Sequence, residues 1–577
     1  MFYPPPWVPK LPYDPPDSIT IGEFVSNEYY GRQPIARSRN PFTCGITGKT
    51  YTTAEAIERT ELIARALSKI MGWEPNAELP FDKVIGIYSL NHIDYISVLL
   101  SIHRLSGIAT PANAAYSAAE LEHQLRTSRA KVLFTCAPVL EDALQAAKAV
   151  GISQDHVFIL DIPGYDVPKG FLTIHDLVDM GRNLPELEKL NWSKGQGARQ
   201  TAFLCYSSGT SGLPKAVMIS HRNIIANMMQ FRVYEQPARK KFGIETQVGF
   251  AVLPLSHAYG LHVVALSQTW RGDELIVMPK FDLTTYLKAI ERFKIQCLTV
   301  VPPIIIRMLS SMDECQKYDL SSVRALYVGA APTGKETVDE LHKHWPHWHV
   351  CQGYGMTETA TVTVSTSEDD IMEGSSGSIL PGIRAKVIDF EGKEVTDYDV
   401  PGELWIQSPS TTLGYLNNEV ATSEAFVWDD DGRWMKTGDE VIVTKSPNGN
   451  EHIKVVDRIK ELIKVKGHQV APAELEAHLL THPFVDDCAV ISVPHAQAGE
   501  APKAFVVKSP SHIQGKSDEQ AMKEILQYVA DHKARYKWLT GGVEFIDVVP
   551  KSPSGKILRR LLRDKEKERR RAEGSKL

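Results

Sequence analysis

Cysteine is scarce in this chain. Seven residues in 577 form no C-x-x-C pair and no regular spacing, which excludes a disulfide-built scaffold and fits buried thiols in a reducing compartment. An excess of basic charge is missing as well. Lys and Arg number 64 against 70 Asp and Glu, for a net charge of −6, so the global footprint of a nucleic-acid binder is absent. Residues 248–270 carry no Asp, Glu, Lys or Arg, yet Pro254, Ser256, His257, Gly260, His262 and Gln268 interrupt the run. It reads as a buried strand, turn and helix, not as a membrane span. The opening MFYPPPWVPKLPYDPPD is proline-rich and lacks the basic and apolar regions of a secretory signal.

What is present is enough apolar residue for several cores. At 43% hydrophobic over 577 residues, the chain implies two or more domains. Apolar β-like runs at Val84–Tyr88, Lys131–Cys136, Ala202–Tyr206, Gly249–Leu253, Cys297–Val301 and Ala325–Val328 alternate with helical patterns. Those helical patterns include Ala54–Ile70, Ala118–Ser128 and Leu283–Phe293. Such alternation predicts α/β layers with parallel sheets. Between Ser378 and Leu416 short strands with Gly and Pro turns predict a smaller β-rich subdomain. Charges then crowd VVDRIKELIKVKGHQVAPAELEAHLL before a helix starts at Ala473. A break at Asp457–Lys460 leaves a C-terminal domain of about 120 residues, a normal size. The expected division is 1–456, a hinge at 457–460, and 461–577.

The most informative stretch is Tyr206 to Lys215, YSSGTSGLPK. Ser207, Ser208, Gly209, Thr210, Ser211 and Gly212 let backbone N–H groups approach phosphate oxygens, and Lys215 adds a point charge. The spacing is not that of a Walker A loop, because no Ser or Thr follows the lysine. Apolar runs on both flanks argue against a flexible linker. Over YSSGTSGLPKAVMISHRN the chain resembles the adenylate-forming superfamily of acyl-CoA synthetases, aryl-CoA ligases, luciferases and peptide-synthetase adenylation domains. It departs at Ala216, where that family usually has glycine.

The resemblance assigns roles that the residues alone leave open. In QGYGMTE (352–358), Gln352 and Gly353 match ATP-binding positions, Tyr354 the adenine platform, Thr357 an α-phosphate contact, and Glu358 the Mg²⁺ ligand. Asp439, in Thr437-Gly438-Asp439, and Arg458 match the groups that bind the ribose hydroxyls. Lys556, in PKSPSGK, matches the lysine that bridges the substrate carboxylate and the α-phosphate. His257 matches a gate between acyl pocket and pantetheine tunnel. Tyr259 with Gly329, Ala330, Ala331 and Pro332 matches the pocket wall. Lys464, Gly467 and Gln469 match positions that serve the thioester step, with Lys460 as hinge. His468 stands where the family commonly has an aromatic or apolar residue. The implied fold is a large N-terminal body of layered α/β subdomains plus a β-rich subdomain, with a small mobile α+β C-terminal lid. The cluster His342, His344, His347 and His349 lacks Cys or carboxylate partners at ligand spacing and reads as a helix end and a strand.

The implied substrates are ATP, Mg²⁺ as cofactor, coenzyme A, and a medium-sized apolar acid: an arylacetate, a cinnamate or a medium chain. ITGKTY (46–51), TPANAAYSAAEL (110–121), VPPIII (301–306) and ELIKVKG (461–467) resemble 4-coumarate:CoA ligases and fungal peroxisomal phenylacetyl-CoA and toxin-pathway ligases. Ser575-Lys576-Leu577 matches an address for the peroxisomal import receptor. It follows a segment with 11 Lys/Arg against 4 Asp/Glu from Lys551 onward, read as a solvated charged helix. Two other activities share these motifs, a luciferase-like oxygenase and an adenylation enzyme loading a carrier protein. A silent binding module would require a broken site, and Lys215, Glu358, Asp439, Arg458 and Lys556 are all present.

Overall fold

A computed structural model describes residues 1–77, 79–207, 214–331, 333–466, 468–495, 498–509, 516–552 and 555–574. Ser208, Gly209, Thr210, Ser211, Gly212, Pro332, Gly467 and the terminal Ser575-Lys576-Leu577 lie outside the described residues.

Two large sheets frame the N-terminal part. One runs Gly414–Tyr415, Lys215–Ser220, Thr201–Ser207, Ile108–Ala112, Val84–Tyr88, Val132–Thr135, Val157–Ile159. The other places Ala325–Val328 between Cys297–Val300 and His349–Met356 and extends outward on both sides to nine strands. Their centres are parallel and buried on both faces, as continuous apolar runs such as Val84–Tyr88 require. Helices cover them, each starting on its own cap. Thr52 and Glu55 form a capping box for Thr53–Met71, Ser117 and Glu120 for Ala118–Ser128, and Asp282 caps Leu283–Phe293.

The expectation of parallel sheets fails at several pairs, two of which bear on the site. Thr201–Ser207 and Lys215–Ser220 pair antiparallel, with Ser207 opposite Lys215, and so do His349–Met356 and Thr361–Ser365. A connection as short as 208–214 cannot make a parallel crossover, so the two strands that flank the candidate phosphate loop pair antiparallel. Ser220 then caps the helix His221–Lys241 at once, with its hydroxyl accepting from Asn223 N.

A β-rich sheet follows, with Pro401–Gln407, Gly432–Lys445 and Glu451–Arg458 as its main strands. The next sheet begins at Ile463–Val465 and has five strands, backed by Pro472–Leu479 and Asp518–His532. The terminal helix Arg559–Gly574 differs from the solvated reading. Arg559 forks onto Glu476, Arg563 onto Glu461, and Lys503 reaches Glu566 at 2.6 Å, while Leu562 is buried. Arg559 and Arg563 anchor the helix on carboxylates of the small domain, while Arg560, Asp564, Lys567 and Glu568 stay exposed as the solvated reading has it. Among the described residues no helix is long and apolar enough to cross a membrane. All seven cysteines are buried thiols.

Ala216 sits in the second strand of the hairpin, opposite Tyr206, with its methyl buried in the core that also holds Leu204, Ala112 and Val84. Its backbone φ is not positive, so nothing there calls for glycine. Ala216→Gly is therefore expected to lower the free energy of unfolding by about 1 kcal/mol, read by urea denaturation, with no gain in nucleotide affinity.

Candidate active site

Residues that lie far apart in sequence converge where the two large sheets, the β-rich sheet and the small domain meet. Tyr354 lies in the strand His349–Met356 of the nine-stranded sheet, and its Oη donates to Asp439 Oδ2 at 2.7 Å. Asp439 lies opposite Arg458 in the β-rich sheet, with Arg458 Nε 3.6 Å from Asp439 Oδ1. Burial raises the Asp439 carboxyl above its ordinary range, against the pull of Arg458, Tyr354 and Lys556.

Lys556 arrives from the small domain. Its loop is closed by Ser552 N donating to Lys556 O at 2.8 Å and by Gly555 at φ +84°. A Cβ at Gly555 would come within 3.2 Å of Val301 and 3.3 Å of Pro303, so the loop is seated on the large body. Burial and the Arg458 charge push the Lys556 ammonium down to about 8, against Asp439, Glu358 and Glu461. His257 feels the same ammonium. Burial and Lys556 hold its imidazole down to about 4, and its Nδ1 accepts from Tyr259 N at 3.3 Å.

Glu358 is buried. One carboxylate oxygen accepts from Tyr415 Oη at 2.9 Å, and the other accepts no hydrogen bond among the described residues. Lys215 Nζ stands 5.0 Å from the Tyr415 ring centroid. One open, hard carboxylate oxygen suits Mg²⁺, which takes one or two protein carboxylates and completes its shell with phosphates and water. Among the described residues no group of three or more His, Cys, Asp or Glu is placed to hold a metal. His342 instead bonds Trp348 O.

Tyr259 Oη donates to Tyr327 O at 2.8 Å, which lays its ring against Gly329. A Cβ there would sit 3.1 Å from Tyr259 Cε1, so glycine makes room for the ring. Ala330 follows at φ +69° and Ala331 is half-buried. Gln352 holds this wall, accepting from Thr333 N and donating to Thr333 O. Gly353 and Thr357 are half-buried. Lys464 and Gln469 do not join the group. They face each other across the hairpin Ile463–Val465/His468–Val470 and are exposed. His468 stacks on Tyr536 with ring centroids 4.4 Å apart, filling the place of an aromatic residue. Lys460 is exposed, between Ile459 N bonded to Gly438 O and Glu461 N bonded to Arg458 O.

Tyr415 was not legible in the sequence. A tyrosine in TTLGYLNN carries no local signal, and only the pairing of Gly414–Tyr415 with Lys215–Ser220 brings it to Glu358. Thr412 is a second such residue, its N and Oγ1 both donating to Glu358 O at 3.0 Å.

With this geometry in view, the comparisons with known proteins are direct. Residues 35–416 match the AMP-binding enzyme family and residues 474–556 its C-terminal domain. The chain belongs to the AMP-binding enzymes. It is 42% identical over 570 residues to the acyl-CoA ligase AKT1 of Alternaria alternata, covering 98% of this chain and 97% of that one. It is 34% identical over 554 residues to the 4-coumarate–CoA ligase-like 2 protein of Arabidopsis thaliana, covering 95% and 92%. The fold matches that of the anthranilate CoA ligase AuaEII, solved with anthranoyl-AMP, at a TM-score of 0.80, 23% identity, and coverage of 95% and 97%. Within the AMP-binding enzymes this chain is thus a member of the acyl-CoA ligase family.

Two outcomes follow. Burial and the neighbouring Arg458 push the Lys556 ammonium down to about 8. The adenylation kcat/KM is expected to fall as pH rises through about 8, while kcat holds to higher pH because bound phosphates favour the charged form. Tyr415→Phe removes the hydrogen bond to Glu358 and is expected to raise the KM for Mg·ATP about tenfold in initial-rate kinetics.

Proposed function

We propose that this protein is an ATP-dependent acid:CoA ligase that activates a medium-sized apolar carboxylic acid as its acyl-adenylate and passes the acyl group to coenzyme A. The observation that carries this is the meeting of Lys556, Asp439, Arg458 and Glu358 around one space. The acyl-CoA ligase relatives along nearly the whole chain support it.

A carboxylate is a poor acyl donor because its leaving group would be oxide. In the first step a carboxylate oxygen attacks the α-phosphorus of ATP and pyrophosphate departs. Lys556 would bridge the substrate carboxylate and the α-phosphate, where negative charge crowds in the transition state. Asp439 and Arg458 would hold the ribose hydroxyls, with Tyr354 beneath the adenine. Ser207 to Gly212 and Lys215 would bind the phosphates, joined by Thr357. Glu358 would hold Mg²⁺, which supplies charge neutralisation to the phosphates. In the second step the CoA thiol attacks the adenylate carbonyl, the thiol proton leaves to solvent, and AMP departs. Lys464, Gly467 and Gln469 would serve that step after the small domain turns about Lys460 and Lys556 withdraws. The exposure of Lys464 and Gln469 while Lys556 is half-buried supports one site assembled twice.

The space against Tyr259, Gly329, Ala330 and Ala331 supports an aryl or medium alkyl group: phenylacetate, a cinnamate or a medium-chain acid. We further propose a peroxisomal location on the strength of Ser575-Lys576-Leu577 alone. A luciferase-like oxygenase and a carrier-loading enzyme are not favoured by relatives named as CoA ligases.

The test is pyrophosphate release with phenylacetate, 4-coumarate, hexanoate, octanoate and decanoate, each with and without CoA. The proposal expects release on one class that accelerates with CoA and yields its thioester. Release that requires holo-carrier protein, or oxygen uptake with a luciferin, would replace it.

A further inference from the structure

The turn that carries Thr357 and Glu358 is held in an unfavourable shape. It is the short 3₁₀ turn Thr357–Thr359, followed by Ala360 at φ +53° and Thr361 at φ +116°. Both lie in the region that favours glycine, and for β-branched Thr361 the value is a genuine outlier. The turn is also pressed down. A Cβ at Gly355 would come within 1.5 Å of Thr361 O, so Gly355 is the floor on which the turn rests. Its Glu358 end is fixed by Thr412 and Tyr415.

The other end is fixed by a histidine to which no catalytic step gives a role. His262 lies in a π-helical segment, Tyr259–Ser267, and only 1% of its surface is exposed. Its Nδ1 is 3.1 Å from Ala360 O and 2.7 Å from Thr361 Oγ1, and the Thr361 hydroxyl in turn donates to Ala258 O at 3.4 Å. These distances describe one N–H shared by two acceptors. Nε2 is buried and has no hydrogen-bond partner among the described residues, so a second proton there would have nothing to bond. Burial accordingly pushes the imidazole down to about 3, with the Ala360 carbonyl pulling the other way.

We propose that His262 is a positioning residue for nucleotide binding: its Nδ1–H clamps Ala360 and Thr361 in their left-handed backbone and thereby holds Thr357 and Glu358 toward the phosphates and Mg²⁺. The inference rests on the assignment of Glu358 as the Mg²⁺ ligand. The clamp is neutral across the physiological range, so it fixes geometry and contributes no charge of its own. It also accounts for alanine and threonine where the backbone favours glycine. The strain is offset by a directed hydrogen bond from a buried group, and the turn has one shape instead of several.

The test is calorimetric titration of the full-length protein with Mg·ATP, without acid, so that no turnover occurs. His262→Phe keeps a flat apolar ring beside Phe203 and removes the donor. It is expected to raise the Kd about tenfold, whereas His262→Asn, which can present an N–H near the Nδ1 position, stays within about threefold of the parent. Adding Ala360→Gly to His262→Phe is expected to recover most of the loss, because glycine adopts the left-handed φ without a clamp. A histidine that only packs would not be rescued by glycine, which adds no contact. Should His262→Phe fail to fold, Thr361→Val decides, with an expected weakening of about threefold from loss of the shared hydroxyl. Unchanged Mg·ATP affinity in folded His262→Phe or in Thr361→Val, or failure of glycine rescue, would overturn the proposal. Glu358→Gln measured alongside separates the two readings. Unaltered affinity there removes the metal assignment and this inference with it. Weakened affinity there with none in His262→Phe removes His262 alone.

Discussion

A buried carboxylate organises this molecule. Asp439 has almost no exposed surface, and an ionised carboxylate in that position is costly unless its neighbours compensate it. The compensation comes from three separate parts of the chain. Tyr354 donates a hydrogen bond from the nine-stranded sheet, Arg458 faces Asp439 from the adjoining strand of the β-rich sheet, and Lys556 lends its charge from the small domain. The seating of the small domain on the large one is therefore an electrostatic event as well as a packing one. Lys556 in turn sits where burial and Arg458 weaken its hold on a proton. Negative charge brought by ATP and a carboxylic acid relieves that conflict, so the arrangement is poised for anionic ligands before any is bound.

A second constraint runs through the backbone. The paired strands Thr201–Ser207 and Lys215–Ser220 bring Lys215 to Tyr415, and Tyr415 passes that link to Glu358. Glu358 rides on a turn that rests on Gly355 and closes through Ala360 and Thr361. Cation, phenol and carboxylate thus stand in sequence, Lys215 against the Tyr415 ring and the Tyr415 hydroxyl on Glu358.

Much of this was legible in the sequence, for reasons that are local. Val84–Tyr88 and Ala325–Val328 read as strands because they are short apolar runs bounded by turns, and they stand at those limits in the structure. Ala118–Ser128 read as a helix from its apolar spacing, and Ser117 caps it. Tyr354, Asp439, Arg458 and Lys556 stood out through resemblance to a family whose motifs they match, and their convergence is a matter of geometry. What stayed hidden depends on pairing between distant segments. The antiparallel hairpin around the loop follows from a connection length, not from periodicity. Tyr415 and Thr412 acquire a role only by lying next to Glu358, and His262 only by lying next to Ala360. The tail looked solvated because its composition is charged, but its arginines find Glu461 and Glu476, and that cannot be read along the chain.

The central claim is that one space serves two half-reactions, with Lys556 serving the first and the Lys464–Gln469 hairpin the second. Single-turnover kinetics test it most directly, with acyl-adenylate formation and thioester formation from supplied acyl-adenylate followed separately in Lys556→Ala and Lys464→Ala. The account predicts that Lys556→Ala slows adenylate formation by at least about a hundredfold and leaves thioester formation within a few-fold, and that Lys464→Ala does the reverse. Equal losses in both steps for either variant would contradict it.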